Sequence, residues 1–350
     1  VWDEESLFYQ AMASTGLGSV LRLLLLLGLV LCCFQHERSF AKLGQPSTAS
    51  LREKSGLELR EKVTEVIKLN PDEKRLLSKI STAGERRQWR AVRSAFASYT
   101  GDAVPIYTAA LHAAVRCREY REGAEIFEQG QQRCKFMNAP LYTQALKIFG
   151  KLKDFAKVDT LWAEALKVCD LDGFLVSARL GAAADKGDIQ GAAATLDLAD
   201  ASGVPFETPL INTAIRSCWN SSKSSDKAAR YFYGLFGKLD LTPTIVTFTT
   251  LAGALQSASL EDVLWTYQEM KAWQMTPDSV FAETFLLSIL GGDRLKRCTD
   301  SRAFADENLR DKPRERLQAA REALDDFKSQ RVKLGSLCRA VGRALSHLGF

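Results

Sequence analysis

The sequence predicts an all-α chain built as a solenoid of helix-turn-helix repeats of about 35 residues, on three observations. Apolar triplets spaced i, i+4, i+7 recur along it, as in the buried stripe of an amphipathic helix. They are Val92, Phe96, Tyr99; Gly123, Phe127, Gly130; Val158, Trp162, Ala165; Ala192, Leu196, Ala199; Ala228, Phe232, Leu235; and Val263, Tyr267, Met270, with steps of 31, 35, 34, 36 and 35 residues. Second, the segments preceding these triplets align at a similar step: Val104 to Leu111 (VPIYTAAL) matches Ala139 to Leu146 (APLYTQAL), and the segments from Thr208 and Ile245 continue the series, with a weaker copy at Phe174 to Gly181. Third, Ala and Leu are abundant and there are only 9 Pro in 350 residues, which favours helix over sheet.

The repeat is clearest at 244–278. Ile245 to Gln256 form a first helix, Ser257 to Ser259 turn the chain, Leu260 to Ala272 form a second helix, and Pro277 stops it. One such hairpin cannot bury its apolar stripe alone, but stacked neighbours can, and a small rotation per unit makes a right-handed superhelix. First helices then line the inner groove and second helices the outside. The Pro residues at the second place of first helices suit a helix entry, where the missing N–H is not needed.

Around the array at 71–290, of about six units, three other regions are expected. Residues 1–50 read as a targeting leader. The sequence begins at Val1, with Met12 a candidate start; Arg22 then precedes an uncharged run, Leu23 to Phe34, short for a membrane span but suited to a signal-peptide core (22–34). The stretch 35–50 is hydroxyl-rich and poor in acid, like a transit peptide. Together they resemble the two-part presequences of nucleus-encoded proteins sent to complex plastids, and Phe40 fits that resemblance. Plastid import is therefore the expectation, with the mitochondrion, or a membrane anchor through 20–34, as alternatives. Residues 51–70 read as a charged linker helix ending at Asn70-Pro71-Asp72. In the tail, 291–350, Gly291-Gly292 breaks the pattern, 293–313 reads as a loop, and two capping helices follow: Arg314 to Arg331, with Leu317, Ala320, Leu324 and Phe327 on one side, and Ser336 to Phe350.

A degenerate 35-residue hairpin with the first-helix run IVTFTTL (245–251), an aromatic plus Met in the second helix, and a closing Thr276-Pro277-Asp278 resembles the pentatricopeptide repeat. The resemblance covers Val104 to Asp278, with a degenerate unit at 71–103. The tetratricopeptide repeat is a near relative, but its Trp, Leu-Gly and Tyr at set places of the first helix are absent. The resemblance implies binding of single-stranded RNA at about one base per repeat. It implies base reading by the polar residue near the start of the first helix together with the last residue of the repeat. The pairs are Thr108 with Asn138, Thr143 with Gly173, Ala178 with Glu207, Asn212 with Thr244, and Thr249 with Asp278. In the family Thr with Asn goes with adenine and Thr with Asp with guanine; the other three pairs depart from the usual combinations. It further implies base packing at the second place of each repeat: Pro105, Pro140, Leu175, Pro209 and Val246.

Basic residues one and two turns along the first helices, His112, Arg116, Lys147, Lys151 and Arg216, form a stripe suited to phosphates. The net charge of +5 permits an anionic partner. The aromatics Phe127, Trp162, Phe232 and Tyr267 lie at core spacing and read as packing. Three His and eight scattered Cys without a CxxC pair make a zinc or His-based catalytic site hard to build. No Walker loop, GxGxxG, HExxH or GxSxG pattern occurs. The function expected is that of an organellar single-stranded RNA-binding adaptor in RNA processing, stability, editing or translation. It needs no catalysis, cofactor, metal or small-molecule substrate of its own, and protein partners would come from the organellar RNA machinery. The alternative is a helical-repeat scaffold that binds protein.

Overall fold

The structure, a computed structural model, describes residues 69–221, 225–292, 295 and 300–350. The leader, and the linker helix up to residue 68, lie outside the described residues. Sixteen α-helices and no strand are found among those described, all within the unit Leu59–Phe350. They fall into hairpins: α1 (Pro71–Glu85) with α2 (Trp89–Phe96), α3 (Val104–Cys117) with α4 (Tyr120–Arg133), and α5 (Ala139–Lys151) with α6 (Phe155–Val168). Then come α7 (Gly173–Lys186) with α8 (Ile189–Ala201), α9 (Thr208–Trp219) with α10 (Asp226–Lys238), and α11 (Ile245–Ala254) with α12 (Leu260–Ala272).

Local chemistry sets the helix ends. Asn70, Asn138, Asp172 and Asp278 each accept a bond from the backbone N–H three residues on, and Pro71, Pro105, Pro140 and Pro209 occupy entries where no N–H is required. The first four hairpins turn in the same way. A left-handed residue (Arg87, Arg118, Lys153, Gly187) follows the first helix, and the next N–H reaches back over five residues to a helix carbonyl. Those bonds, Gln88 to Ala83, Glu119 to Ala114, Asp154 to Phe149 and Asp188 to Ala183, measure 2.9–3.0 Å.

Each odd-numbered helix from α1 to α11 packs directly on the next odd-numbered one. Each even-numbered helix packs on its own partner and on the following odd-numbered helix, without an extensive contact between consecutive even-numbered helices. The odd helices are thus the close-packed inner layer, the even helices the splayed outer layer, and the stack is a right-handed α-solenoid. Small residues permit the inner approach: a Cβ on Gly84 would lie 2.7 Å from that of Ala113, and one on Gly150 3.0 Å from that of Ala182. Between the layers lie Tyr107, Leu111, Leu141, Leu180, Ile211, Phe248 and Leu251 from inside, and Val92, Phe127, Val158, Leu196, Phe232 and Val263 from outside, all buried. Each such side chain contributes about 1.5–3 kcal/mol on leaving water. The expected packing aromatics are where the periodicity puts them, with Phe127 and Phe232 wholly buried, Tyr267 nearly so and Trp162 half-buried. In α10 the stripe is Ala229, Phe232, Phe236; Ala228 and Leu235 are only half-buried, because the helix is rotated by one residue from the expected face.

The C-terminal end departs further. α13 (Ser279–Ile289) is a seventh inner helix, and its outer partner arrives late. The stretch expected as a loop, 293–313, contains α14 (Ser301–Asn308), capped by Asp300 and fixed by buried Phe304, Ala305 and Leu309. Then α15 (Arg314–Ser329) takes the outer place: Phe327 sits 5.4 Å from Tyr267, 6.4 Å from Phe281 and 6.3 Å from Phe285 between ring centroids, and Asp326 pairs with Lys271 at 2.6 Å. Arg316 donates to the carbonyls of Ser288, Ile289 and Ala258, serving backbone ends that helices leave unpaired. α16 (Ser336–His347) closes the stack on α13, α14 and α15, burying Cys338, Val341, Ala344 and Leu345.

Candidate nucleic-acid interface

The caps fix a common register for the inner helices. The residue before each helix is Ala103, Asn138, Asp172, Glu207, Thr244 and Asp278 for α3, α5, α7, α9, α11 and α13. The fifth helical residue is then Thr108, Thr143, Ser177, Asn212, Thr249 and Glu283, and the second is Pro105, Pro140, Phe174, Pro209, Val246 and Val280.

Three residues expected at α7 are displaced by this register. Gly173 is the first helical residue, and Asp172 holds the preceding position, with its Oδ1 accepting from Leu175 N at 2.7 Å. Ala178 is 2% exposed and lies inside the stack; Ser177 is the exposed fifth residue. Leu175 is wholly buried, whereas Phe174, the second residue, is 76% exposed. The physical reason is the step: Asn138 to Asp172 is 34 residues, one short of Ala103 to Asn138 at 35. The signal available in the sequence was Asp172 itself, a good N-cap residue placed where Asn138 stands one hairpin earlier. At the second place Val246 and Val280 are 57% and 60% exposed, so large apolar side chains stand in water at one position of three helices.

The cap residues keep a polar atom in reserve. Asn138 accepts from Leu141 N through Oδ1 at 3.1 Å and Asp278 from Phe281 N through Oδ1 at 2.7 Å. The amide of Asn138 therefore offers a donor, and the second carboxylate oxygens of Asp172 and Asp278 offer acceptors. At the fifth place the Thr108 hydroxyl donates to Val104 O at 3.0 Å and that of Thr249 to Ile245 O at 2.8 Å, leaving each oxygen to accept. The Thr143 hydroxyl and the Asn212 Oδ1 are covered and have no hydrogen-bond partner; the two residues are 3% and 9% exposed. Buried polar atoms without a partner are uncommon in folded chains, and these two sit at equivalent positions of α5 and α9, either side of α7.

The basic stripe runs across the same helices but is not uniformly free. His112 and Arg116 on α3 are exposed, and Arg116 also reaches Glu85 O at 3.3 Å. Lys147 on α5 is half-buried, and that burial lowers its pKa. Partial desolvation, then the charges of Arg116 and Lys147, hold the His112 pKa below its ordinary value, against an opposing pull from Glu85. Lys151 and Arg216, expected as phosphate contacts, are both engaged by Asp185 of α7, at 2.7 Å and 3.7 Å. Asp185 was not apparent as a partner because it is 34 residues from Lys151 and 31 from Arg216, and only the stacking of α7 between α5 and α9 unites them.

Among the described residues no group of three or more His, Cys, Asp or Glu is placed to hold a metal ion. No helix among them is long and apolar enough to cross a membrane. Cys169, Cys218 and Cys338 are buried as free thiols, and burial pushes the Cys218 pKa up to about 12.

The fold and this surface define a helical-repeat solenoid with a ladder of equivalent polar side chains on its inner layer. Among solved structures, the chain is similar to the pentatricopeptide repeat protein PPR10 from maize, at 16% identity and a TM-score of 0.43, over 100% of this chain and 59% of that one. It is also similar to PPR10 in complex with an 18-nt psaJ RNA element, at 18% identity and a TM-score of 0.47, over 98% of this chain and 56% of that one. The chain thus spans less than two thirds of the length of either. No protein-family model and no curated protein matches the sequence.

Proposed function

We propose that the chain is a pentatricopeptide-repeat protein that binds single-stranded RNA along its inner helices as a non-catalytic adaptor. The observation that supports this reading best is the register itself. In successive hairpins a fifth-residue side chain and the cap residue of the next inner helix recur at equivalent places, with a half-buried or exposed Pro, Phe or Val at the second place, and α3, α5 and α9 carry basic groups one or two turns on. Base edges would meet the fifth and cap residues, base faces would rest on Pro105, Pro140, Phe174, Pro209, Val246 and Val280, and phosphates would follow His112, Arg116 and Lys147.

Donor and acceptor chemistry then gives a sequence. Guanine presents two N–H donors on its Watson–Crick edge, which suit the free carboxylate oxygens of Asp172 (with Thr143) and Asp278 (with Thr249). Adenine presents a ring-nitrogen acceptor, which suits the Asn138 amide donor (with Thr108). Hairpins two to six therefore favour the order A-G-N-N-G. Such an adaptor acts by occupying a strand, and so by blocking or recruiting factors of RNA processing, stability, editing or translation. For the compartment we propose the plastid, on the composition of residues 22–50.

The test is fluorescence anisotropy with labelled single-stranded RNA carrying A-G-U-U-G in either polarity, against scrambled and double-stranded controls. Salt-dependent binding that favours one polarity of the designed core is expected. No binding at low salt, together with a co-purifying protein, would instead identify a protein-binding scaffold. A fluorescent fusion of the full chain, expressed in its own cells, tests plastid import.

A further inference from the structure

The turns that join inner to outer helices change in charge along the array. The left-handed residue that closes each of the first three inner helices is basic, Arg87, Arg118 and Lys153, where hairpin four has Gly187. Around them hairpin one sets Arg86, Arg87 and Arg90 against Glu85, hairpin two sets Arg116, Arg118 and Arg121 against Glu119, and hairpin three sets Lys151 and Lys153 against Asp154. The excess then ends. Hairpin four has Lys186 against Asp185 and Asp188, and no Lys, Arg or His lies between Lys238 and Lys271, the span that holds the turn of hairpin six. Lys151 is drawn to Asp185 at 2.7 Å. Arg86, Arg87, Arg90, Arg118, Arg121 and Lys153 are exposed, and among the described residues their side chains make no hydrogen bond or ion pair.

This ridge adjoins the inner surface. Arg116, in the basic stripe of α3, donates to Glu85 O at 3.3 Å, so turns one and two meet there. Arg87 and Arg116 also flank the Cys117 thiol: burial and then Glu119 raise its pKa, and the two guanidinium groups oppose the rise. On the other side the ridge is bounded, because α4 carries Glu122, Glu125 and Glu128 along the outer layer. Hairpin one offers no base-reading pair. The second and fifth residues of α1, Asp72 and Arg75, pair with each other at 3.6 Å, and the cap residue of the next inner helix is Ala103, which has no hydrogen-bonding side chain.

We infer that Arg86, Arg87 and Arg90, at the hairpin-one end of this ridge, form a phosphate-binding flank that holds the nucleotides next to the read core and is indifferent to their bases. This rests on the reading of the inner helices as an RNA-binding surface, and adds to it the segment of strand beyond the adenine at hairpin two. A strand continuing past hairpin two along the ridge meets these three side chains next. Guanidinium groups only donate and phosphate oxygens only accept, so the match holds whatever base is attached.

The probes are single-stranded RNAs: the core A-G-U-U-G alone, and the core extended next to its adenine by three uridines or three cytidines. Each phosphate neutralised on a single strand contributes about 0.7 to the slope of log affinity against log salt. Three added contacts therefore steepen the slope by about 2, and between 50 and 200 mM salt the affinity for an extended RNA falls about sixteenfold more than that for the core. The full chain is compared by anisotropy with two triple variants, with circular dichroism to check that the helices are kept. One combines Arg86→Gln, Arg87→Asn and Arg90→Gln, with Asn at the left-handed position, which it tolerates. The other combines Arg314→Gln, Arg331→Asn and Lys333→Gln, and removes the same charge near the C-terminal end, again with Asn at a left-handed position. The expected result is that either extension tightens binding by the parent and by the second variant at 50 mM salt, with the steeper slope. The first variant should bind the core as the parent does and gain nothing from the extension. If the parent binds the core but gains nothing from the extension, or gains from only one of the two bases, the flank is overturned alone. It is equally overturned if the first variant keeps the gain or loses the core as well, or if the second variant loses the gain. If the parent binds no single-stranded RNA at 50 mM salt, the functional reading falls, and this inference with it.

Discussion

Asp172→Asn tests the register and the base chemistry together. In the folded chain Oδ1 of Asp172 is committed to Leu175 N at 2.7 Å. Only the second carboxylate oxygen is left for a base, and it can meet the N–H donors of guanine. Asparagine can keep the cap through its own Oδ1, and Asn and Asp cap helices about equally well, so stability should hold. What changes is the outward atom: an acceptor becomes an N–H₂ donor, which faces guanine donor to donor and matches the adenine ring nitrogen. A hydrogen bond to a charged group is worth about 1.5–3 kcal/mol. Losing it at guanine therefore shifts the guanine-to-adenine preference at the second nucleotide by at least about tenfold. The assay is anisotropy on paired RNAs differing only at that nucleotide, with thermal melts alongside. Gly173→Asn is the control, since residue 173 opens the helix into free space and the register gives it no base. A guanine-to-adenine ratio that moves less than about threefold in Asp172→Asn, or that moves in Gly173→Asn, would refute the reasoning.

Three further outcomes follow from the same geometry. Replacing Arg116 and Lys147 together by Glu should weaken binding to every RNA sequence alike and lower the salt slope by about 1.4, measured by anisotropy across a salt series. Gly84→Ala should lower the melting temperature, because its Cβ would lie 2.7 Å from that of Ala113 and push α1 from α3. Gly181→Ala, with nothing to meet, should instead stabilise by about 0.5–1 kcal/mol through helix propensity, read in denaturant titrations. The folded pKa of His112 is lowered by desolvation and by Arg116 and Lys147, so the unfolded chain takes up that proton more readily. Its contribution to stability is full above the unfolded value of about 6.5 and declines as pH falls from there through the folded value. His112→Gln should flatten that part of the melting profile between pH 7.5 and 5, and bound RNA phosphate should shrink the difference between the two proteins.

The hairpins were legible in the sequence because their signals are local: caps, entry prolines and apolar spacing lie within one helix, and a six-fold recurrence makes each one easier to see. Register within a hairpin was less so. Phe174, Leu175 and Val176 are all apolar, and either of the first two can be set at the second place until Asp172 is seen to cap Leu175. The seventh hairpin was hidden by an insertion, since α14 separates α13 from the outer helix that completes it. Ion pairing across the stack could not be read at all. Asp185 looks like any solvated acid near a helix end, and only the close packing of three inner helices turns it into a shared counter-ion for Lys151 and Arg216.

The asymmetry between the two layers bears on how the proposed reading positions are spaced. Neighbouring inner helices are in firm contact, whereas neighbouring outer helices meet mainly through the inner helix between them. Successive units are therefore joined like vertebrae along one side of a spine, and small changes of twist can be shared among all of them without opening any single joint. If the inner helices bind a strand as proposed, the interval between one reading position and the next is then an elastic quantity. A bound strand and its host would settle on a common rise together, and the strain of a poor match would spread over the whole array instead of gathering at one base.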